Sequence, residues 1–352
     1  KSETALIPRI IVFAFSFFTL QSFAFDFKNF VFQSFSFQIN AAEQEIIERQ
    51  DIPLPAQAFI VSQAPVGSIA SWMEKYQKIV KEAKNLTQHL SPYEQADAVL
   101  HFLHKKVLKT YRAKESFITR AFDKGFFNCV SSSFLYNLVL TDLGFETRGV
   151  LVPNHVFSQI KIKEEWIDAE TTTPFGFDAG KRKAATDQFK KLTGSVFVPS
   201  SKRGKNFYTI GNSHYLSLIY SNTGGGYIEA KDYHKSLSCY IKALILHDDI
   251  KEGHNNLKAG YTQYTLFLIQ QNNFSQAEKA ILESLFIYPN FDKSLNNLKA
   301  LYPHWIQWGI KQKEYSQILG VLEDKKDFFT LEERENFYIL YLKSLYFQDK
   351  NP

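Results

Sequence analysis

The chain has 352 residues, 45% of them hydrophobic, which is enough for a sizeable core divided among two or three domains. Its formal net charge is only +5, and its basic residues are scattered, so composition argues against a nucleic-acid-binding protein. The two cysteines, Cys129 and Cys239, are far apart in the sequence and fall in different predicted domains. A disulfide framework is therefore not expected.

The N-terminus combines basic, apolar and small residues in that order. Lys1 and Arg9 precede a short apolar run, which is followed by Ser22 and Ala24. This order is typical of a secretory signal, although an uncleaved anchor or a buried helix would also fit it. The sequence therefore predicts a signal peptide over 1–24 and export to the periplasm or the extracellular space. No stable membrane span is expected once the leader is removed.

The next segment, 25–69, is interpreted as an N-terminal extension. Within it, phenylalanines partly alternate with polar residues over 25–37, which suggests a strand with one aromatic face. Two helices are then predicted, over about 69–90 and about 91–111. The second starts with Ser91-Pro92-Tyr93-Glu94, a capping box with proline at the first helical position, so its beginning is well defined.

Cys129 stands at the start of an apolar helix that runs to a glycine stop at Gly144. The large apolar residues of this stretch recur at helical spacing: Phe134, Leu135, Leu138, Val139 and Leu143. Unpaired N–H groups and the helix dipole favour an anion at a helix start, so a thiol there should ionise more readily than a free one. Cys129 is therefore the candidate nucleophile.

A base and an orienting acid follow on predicted strands. Strand-like runs cover 147–152 and 155–162, and a third begins at Trp166 after a hairpin turn. His155 opens the second run, and Asp168 lies in the third. A cysteine at a helix start and a histidine and an aspartate on neighbouring antiparallel strands can meet in space. This is the logic of a Cys-His-Asp triad.

These residues resemble the transglutaminase-like cysteine hydrolases of the papain-like superfamily over roughly 91–177. The resemblance rests on Asn128-Cys129, His155-Val-Phe and Trp166-Ile-Asp168-Ala-Glu-Thr171. It implies an α+β core in which the cysteine helix packs on a small antiparallel sheet. Asparagine replaces the commoner glycine before the cysteine, and Ala-Glu-Thr stands where Pro-Thr often follows the aspartate. These departures leave the subfamily and the substrate open.

The reaction expected from this site is acyl transfer or hydrolysis at an amide or peptide bond. Cys129 would be the nucleophile, His155 the base, and Asp168 the group that fixes the histidine tautomer. The backbone N–H of Cys129 should donate one hydrogen bond to the oxyanion. No metal or organic cofactor is required.

The C-terminal part contains a repeat with an interval of 41 residues. Asp232-Tyr233, Asn273-Phe274 and Glu314-Tyr315 recur at this interval, which predicts stacked helical hairpins. The first unit resembles a tetratricopeptide repeat, and the third is degenerate and should cap the array. An all-α domain that binds a protein partner is therefore expected over 212–352.

The predicted organisation is a catalytic domain over 70–205, a linker over 206–211 and the repeat domain after it. The protein is expected to act on a protein or peptide substrate and not on nucleic acid. One alternative is a noncatalytic scaffold that binds a partner through the repeats. Another is a peptidase of cell-wall peptides. The sequence does not distinguish a protease from a transamidase.

Overall fold

The computed structural model describes residues 25–49, 51–204 and 207–350, so the predicted signal peptide lies outside the described residues. Helices and strands are mixed, and the predicted α+β class is confirmed. The chain divides into two compact units. One is Phe37–Asn256, and the other joins the described residues before Phe37 to those after Asn256. No helix in the described ranges is long and apolar enough to cross a membrane.

Helices open the unit Phe37–Asn256. They are α1 (Ala41–Glu48), α2 (Leu54–Val61), α3 (Ile69–Thr87) and α4 (Pro92–Lys106). The start of α4 is the predicted one. Ser91 and Glu94 form the expected capping box, with the Ser91 N–H donating to Glu94 Oε2 at 3.0 Å.

The β structure of this unit consists of two small sheets. Strands β1 (Thr110–Tyr111) and β2 (Phe126–Phe127) form a parallel pair, and α5 (Ile118–Lys124) lies between them in the chain. The larger sheet has the order β5-β4-β3-β6 and is antiparallel throughout. Its strands are β3 (Thr147–Val152), β4 (His155–Ile162), β5 (Glu165–Ala169) and β6 (Tyr208–Ile210).

The two central strands of the larger sheet, β3 and β4, are mostly buried on both faces. On one face, Val156 and Ile160 of β4 join the main core, to which α6 (Cys129–Asp142) contributes most of its length. On the other face, Phe157 packs with Phe189 of α7 (Lys183–Thr193) in a second apolar cluster. Successive side chains of a strand point to opposite faces, so the residues of β4 divide between the two cores.

The predicted linker over 206–211 contains β6, which pairs with β3 and completes the sheet. The next helices, α8 (His214–Glu229) and α9 (Tyr233–Leu246), form a hairpin in the same unit. The Tyr215 ring of α8 stacks on Phe134 of α6 with 5.1 Å between centroids. The division between compact units therefore falls after Asn256 and not in the predicted linker.

The hairpin of α8 and α9 depends on one close approach. A Cβ atom at Gly224 of α8 would lie 2.6 Å from the ring of Tyr240 on α9, too near for any larger residue without a shift. Glycine is therefore needed where the two helices touch.

The second unit is helical. After α10 (Lys251–Gln270), in which the division falls, come α11 (Phe274–Ile287), α12 (Asp292–Gln312), α13 (Tyr315–Asp324) and α14 (Leu331–Lys350). Three helices of the chain, α9, α11 and α13, begin 41 residues apart. Each follows a residue with positive φ, namely Lys231, Asn272 or Lys313. The sequence interval thus corresponds to a recurring turn between helices.

The phenylalanine-rich segment is not the predicted strand. Residues 25–40 form no regular strand, and their rings contact one another, as where Phe25 and Phe30 lie 5.1 Å apart. The Phe30 ring also stacks on Phe286 of α11 at 5.4 Å. Buried Glu283 accepts a hydrogen bond from the Ser34 N–H at 2.7 Å. Side-chain packing and this carboxylate, instead of a β ladder, hold the residues before Phe37 against α11 within the second unit.

Candidate active site

Cys129 is the first residue of α6, and its half-buried thiol is free. Asn128 caps the helix, because its side-chain oxygen accepts from the N–H groups of Val130 at 3.0 Å and Ser131 at 3.1 Å. Its amide donates to the Ser116 hydroxyl at 2.8 Å, which fixes the cap itself. The backbone N–H of Cys129, which is the predicted oxyanion donor, lies at this helix start.

His155 connects the thiol to a carboxylate. Its Nε2 lies 2.7 Å from Oε2 of Glu170, and Cys129 is near enough to the ring to raise its pKa. Burial lowers the pKa of His155, but the charges of Glu170 and Cys129 outweigh it and raise the pKa to about 10. The imidazolium form therefore persists at neutral pH, placed between a thiol and a carboxylate.

Glu170 is completely buried and fully hydrogen-bonded. While Oε2 contacts His155, Oε1 accepts from the N–H of Thr172 at 3.1 Å and from the Thr172 hydroxyl at 2.7 Å. The side chain is 0% exposed. A buried carboxylate with each oxygen satisfied has a fixed orientation, and it fixes the ring that it contacts.

The acid beside His155 is thus Glu170 and not the predicted Asp168. The side chain of Asp168 accepts from Gln159 at 2.8 Å and from the Ser200 N–H at 2.7 Å. Asp168 lies opposite Gln159 in the ladder, four residues along β4 from His155. At about 3.3 Å per residue this separates it from the histidine end by about 13 Å along the strand. The structure therefore places Cys129 near His155, and the third residue beside them is Glu170.

A threonine next to Glu170 ties this segment to the cysteine helix. The hydroxyl of Thr171 shares hydrogen bonds with Ser132 at 2.9 Å and Ser133 at 2.7 Å, and both serines are fully buried in α6. The Thr171 carbonyl accepts from Nε2 of His104 at 3.0 Å. These bonds hold the backbone beside Glu170 at a fixed distance from the helix that carries Cys129.

Gly176 allows the segment after β5 to fold back on Glu170. The N–H of Glu170 donates to the Gly176 carbonyl at 2.8 Å. A Cβ atom on Gly176 would stand 1.7 Å from the backbone oxygen of Glu170, a distance no side chain can occupy. The position of the buried Glu170 carboxylate therefore depends on a glycine six residues later in the chain.

The thiol opens into a cavity of about 770 Å³. Cys129 and His155 line it, together with Tyr111 and Ser116. Residues of α8 also line it, among them Asn222, whose side-chain amide donates to the Ser116 hydroxyl at 2.8 Å. Burial, with smaller contributions from the charges of Cys129 and Glu170, raises the pKa of Tyr111 to about 12. Its hydroxyl therefore keeps its proton at neutral pH and can donate a hydrogen bond inside the cavity.

Cys239 has a different environment. It lies in α9 with 7% of its surface exposed, and burial raises the pKa of its thiol to about 12. Its charged neighbours, Lys242 and Glu43, form an ion pair with each other, with 2.7 Å between Nζ and Oε2. These surroundings are those of an inert core thiol.

Comparison with known proteins finds little similarity to this chain. No protein-family model matches it, and no curated protein is significantly similar. Among solved structures, the chain is similar to a crystal structure of menin that reveals the binding site for Mixed Lineage Leukemia (MLL) protein. The superposition covers 86% of each chain at 9% sequence identity with a TM-score of 0.37. A likeness at this level indicates neither fold nor function.

Proposed function

We propose that this protein is a cysteine enzyme that performs acyl transfer or hydrolysis at amide bonds through Cys129, His155 and Glu170. The contact of 2.7 Å between His155 and buried Glu170, with Cys129 near the same ring and lining the same cavity, carries the proposal. A structural histidine requires no accessible thiol beside it. Here the thiol stands at a helix start and faces a cavity.

The proposal includes the core that the sequence resembles. A helix with the cysteine at its first residue packs on an antiparallel sheet whose strand β4 begins with the histidine. This arrangement supports assignment to the transglutaminase-like branch of the papain-like superfamily. Glu170 takes the place assigned from the sequence to Asp168, and glutamate can hold an imidazole as aspartate does.

In the proposed reaction, the Cys129 thiolate attacks the carbonyl carbon of an amide. The imidazolium of His155 gives its proton to the departing amine as the C–N bond breaks, and the acyl group remains on sulfur as a thioester. Water or a second amine then attacks the thioester while His155 accepts its proton, and the thiolate leaves. Glu170 stabilises the charged ring and fixes its orientation throughout.

The N–H of Cys129 would donate to the oxyanion formed in both steps. A partly open cavity of about 770 Å³ has room for several residues of a polypeptide, which supports a protein or peptide substrate over a small amide.

The experiment is a comparison of the full chain with its Cys129→Ala variant on two substrates. A mixture of tryptic peptides is examined by mass spectrometry for new amino termini, and a glutamine-rich protein is tested for uptake of a fluorescent primary amine. New termini indicate hydrolysis, and amine uptake indicates transamidation. We expect at least one signal from the native chain and neither from Cys129→Ala. Signals that persist in Cys129→Ala at the native rate contradict the proposal.

A further inference from the structure

A second cluster of reactive side chains lies outside the proposed active site. His214 is the first residue of α8, His247 directly follows α9, and Asp249 lies two residues beyond it. One nitrogen of each histidine and one carboxylate oxygen of Asp249 all lie within 4.8 Å of one another. All three residues belong to the unit Phe37–Asn256. No step of the proposed reaction uses them.

The imidazole rings of His214 and His247 are stacked on each other. Their ring centroids are 3.8 Å apart and their planes are 16° from parallel, while Nε2 of His214 contacts Asp249 Oδ2 at 3.1 Å. The Nδ1 of His214 is buried and has no hydrogen-bond partner among the described residues. The hydrogen bond described for the His214 ring is therefore the one to Asp249.

We propose that His214, His247 and Asp249 bind one divalent zinc ion. Two imidazoles and one carboxylate form a common zinc ligand set, and water can take the fourth position because the Asp249 side chain is 68% exposed. Ligand atoms around a tetrahedral zinc ion lie roughly 3.3 Å apart. The three atoms lie within 4.8 Å of one another, and binding requires the two imidazoles to tilt out of their parallel stack so that their in-plane lone pairs meet at one ion. Magnesium and calcium prefer oxygen ligands and should not compete.

The position of the ion suggests a structural role. It would tie the loop after α9 to the first residue of α8. Leu218 on α8 and Ile250 and Gly253 beyond the loop line the cavity that contains Cys129. A bound zinc ion would therefore stabilise one wall of that cavity without contacting the thiol, and the inference is independent of the reaction proposed above.

Isothermal titration calorimetry with zinc chloride tests this site. The full chain carries Cys129→Ala, so that the accessible thiol does not bind zinc, and no polyhistidine tag. We expect one zinc ion per chain, an increase in Tm on its addition, and no response to magnesium chloride. Adding His247→Ala or Asp249→Asn should weaken zinc binding at least about tenfold. Adding His89→Ala, which changes an exposed histidine outside the cluster, should leave the affinity unchanged.

Two ligand variants are used so that the test does not depend on the folding of either one. If His247→Ala does not fold, Asp249→Asn decides, because it keeps the size of a mostly exposed side chain. Cobalt(II) provides a second readout, since a four-coordinate ion absorbs visible light more strongly than a six-coordinate one. Absence of zinc binding, or zinc affinity that is unchanged in Asp249→Asn and in any folded His247→Ala chain, would overturn the proposal.

Discussion

Glu170 Oε2 lies 2.7 Å from Nε2 of His155, and Asp168, two residues earlier in the chain, does not contact that ring. The two acids have different partners because they occupy different positions in the ladder. His155 is the first residue of β4, and Glu170 lies near that end of the strand. Asp168 lies farther along, opposite Gln159. The electrostatic support of the imidazolium therefore belongs to Glu170.

The first prediction concerns Glu170→Gln. The change keeps the shape of the side chain and removes the charge that favours protonated His155, so the proposed thiolate of Cys129 would lose its counter-ion. We expect the alkylation rate of Cys129 at neutral pH to fall at least about tenfold. The rate is measured with iodoacetamide, followed by quantification of the Cys129 peptide.

The matched control is Asp168→Asn. Its carboxylate holds Ser200 and Gln159, so the variant should unfold more easily, by about 1–3 kcal/mol, while the labelling rate of Cys129 stays within about twofold. If Cys129 were alkylated slowly in Asp168→Asn and at the native rate in Glu170→Gln, Asp168 and not Glu170 would be the acid that supports His155.

A second prediction follows from the close approach of Gly176 to Glu170. In Gly176→Ala the added Cβ meets the Glu170 backbone oxygen at 1.7 Å, so the segment must move and carry the carboxylate with it. We expect a loss of about 1–3 kcal/mol in the free energy of unfolding. Labelling of Cys129 should slow as well. Gly67→Ala is the control, because its Cβ would have no heavy atom within 4 Å. Native stability and labelling in Gly176→Ala would refute the argument.

The third prediction is a pH dependence of stability. The folded chain raises the pKa of His155 to about 10, whereas an unfolded histidine has a pKa near 6.5. Protonated His155 therefore stabilises the fold fully below about pH 6.5, and this contribution is lost as the pH rises through about 10. Urea unfolding of the native chain and of His155→Gln should give a difference in free energy that shrinks across this interval. A difference that grows with pH would show that the neutral ring is the favoured form.

The hairpin of β4 and β5 shows how far the site could be predicted from sequence. The sequence predicts a turn over 163–165, whereas the structure begins β5 at Glu165 and pairs Glu165 with Ile162. Continued backwards, that register puts Asp168 opposite Gln159, and Phe157 opposite Glu170. The alternation then puts His155 and Glu170 on one face and near each other. Motif spacing predicts Asp168, and the three-residue turn predicted from the sequence shifts the register by one residue, so it does not select Glu170.

Other features depend on tertiary contacts that local patterns do not contain. Ser132 and Ser133, which hydrogen-bond Thr171, interrupt an apolar helix. Both are buried because α6 is covered around most of its circumference. The strand β6 has three residues, too few for a periodic signal, and it exists because β3 offers it an edge. The alternating phenylalanines form no ladder, since their rings pack on one another and on α11.

The most direct test of the central claim is the alkylation rate of Cys129 at neutral pH, measured by mass spectrometry in the native chain and in His155→Ala. If Cys129 and His155 form a thiolate–imidazolium pair held by Glu170, the native thiol should react faster than free cysteine, and His155→Ala should slow it at least about tenfold. Cys239 should remain unlabelled until the chain unfolds. A Cys129 thiol that reacts no faster than free cysteine, at a rate indifferent to His155→Ala, would contradict the assignment of an active site.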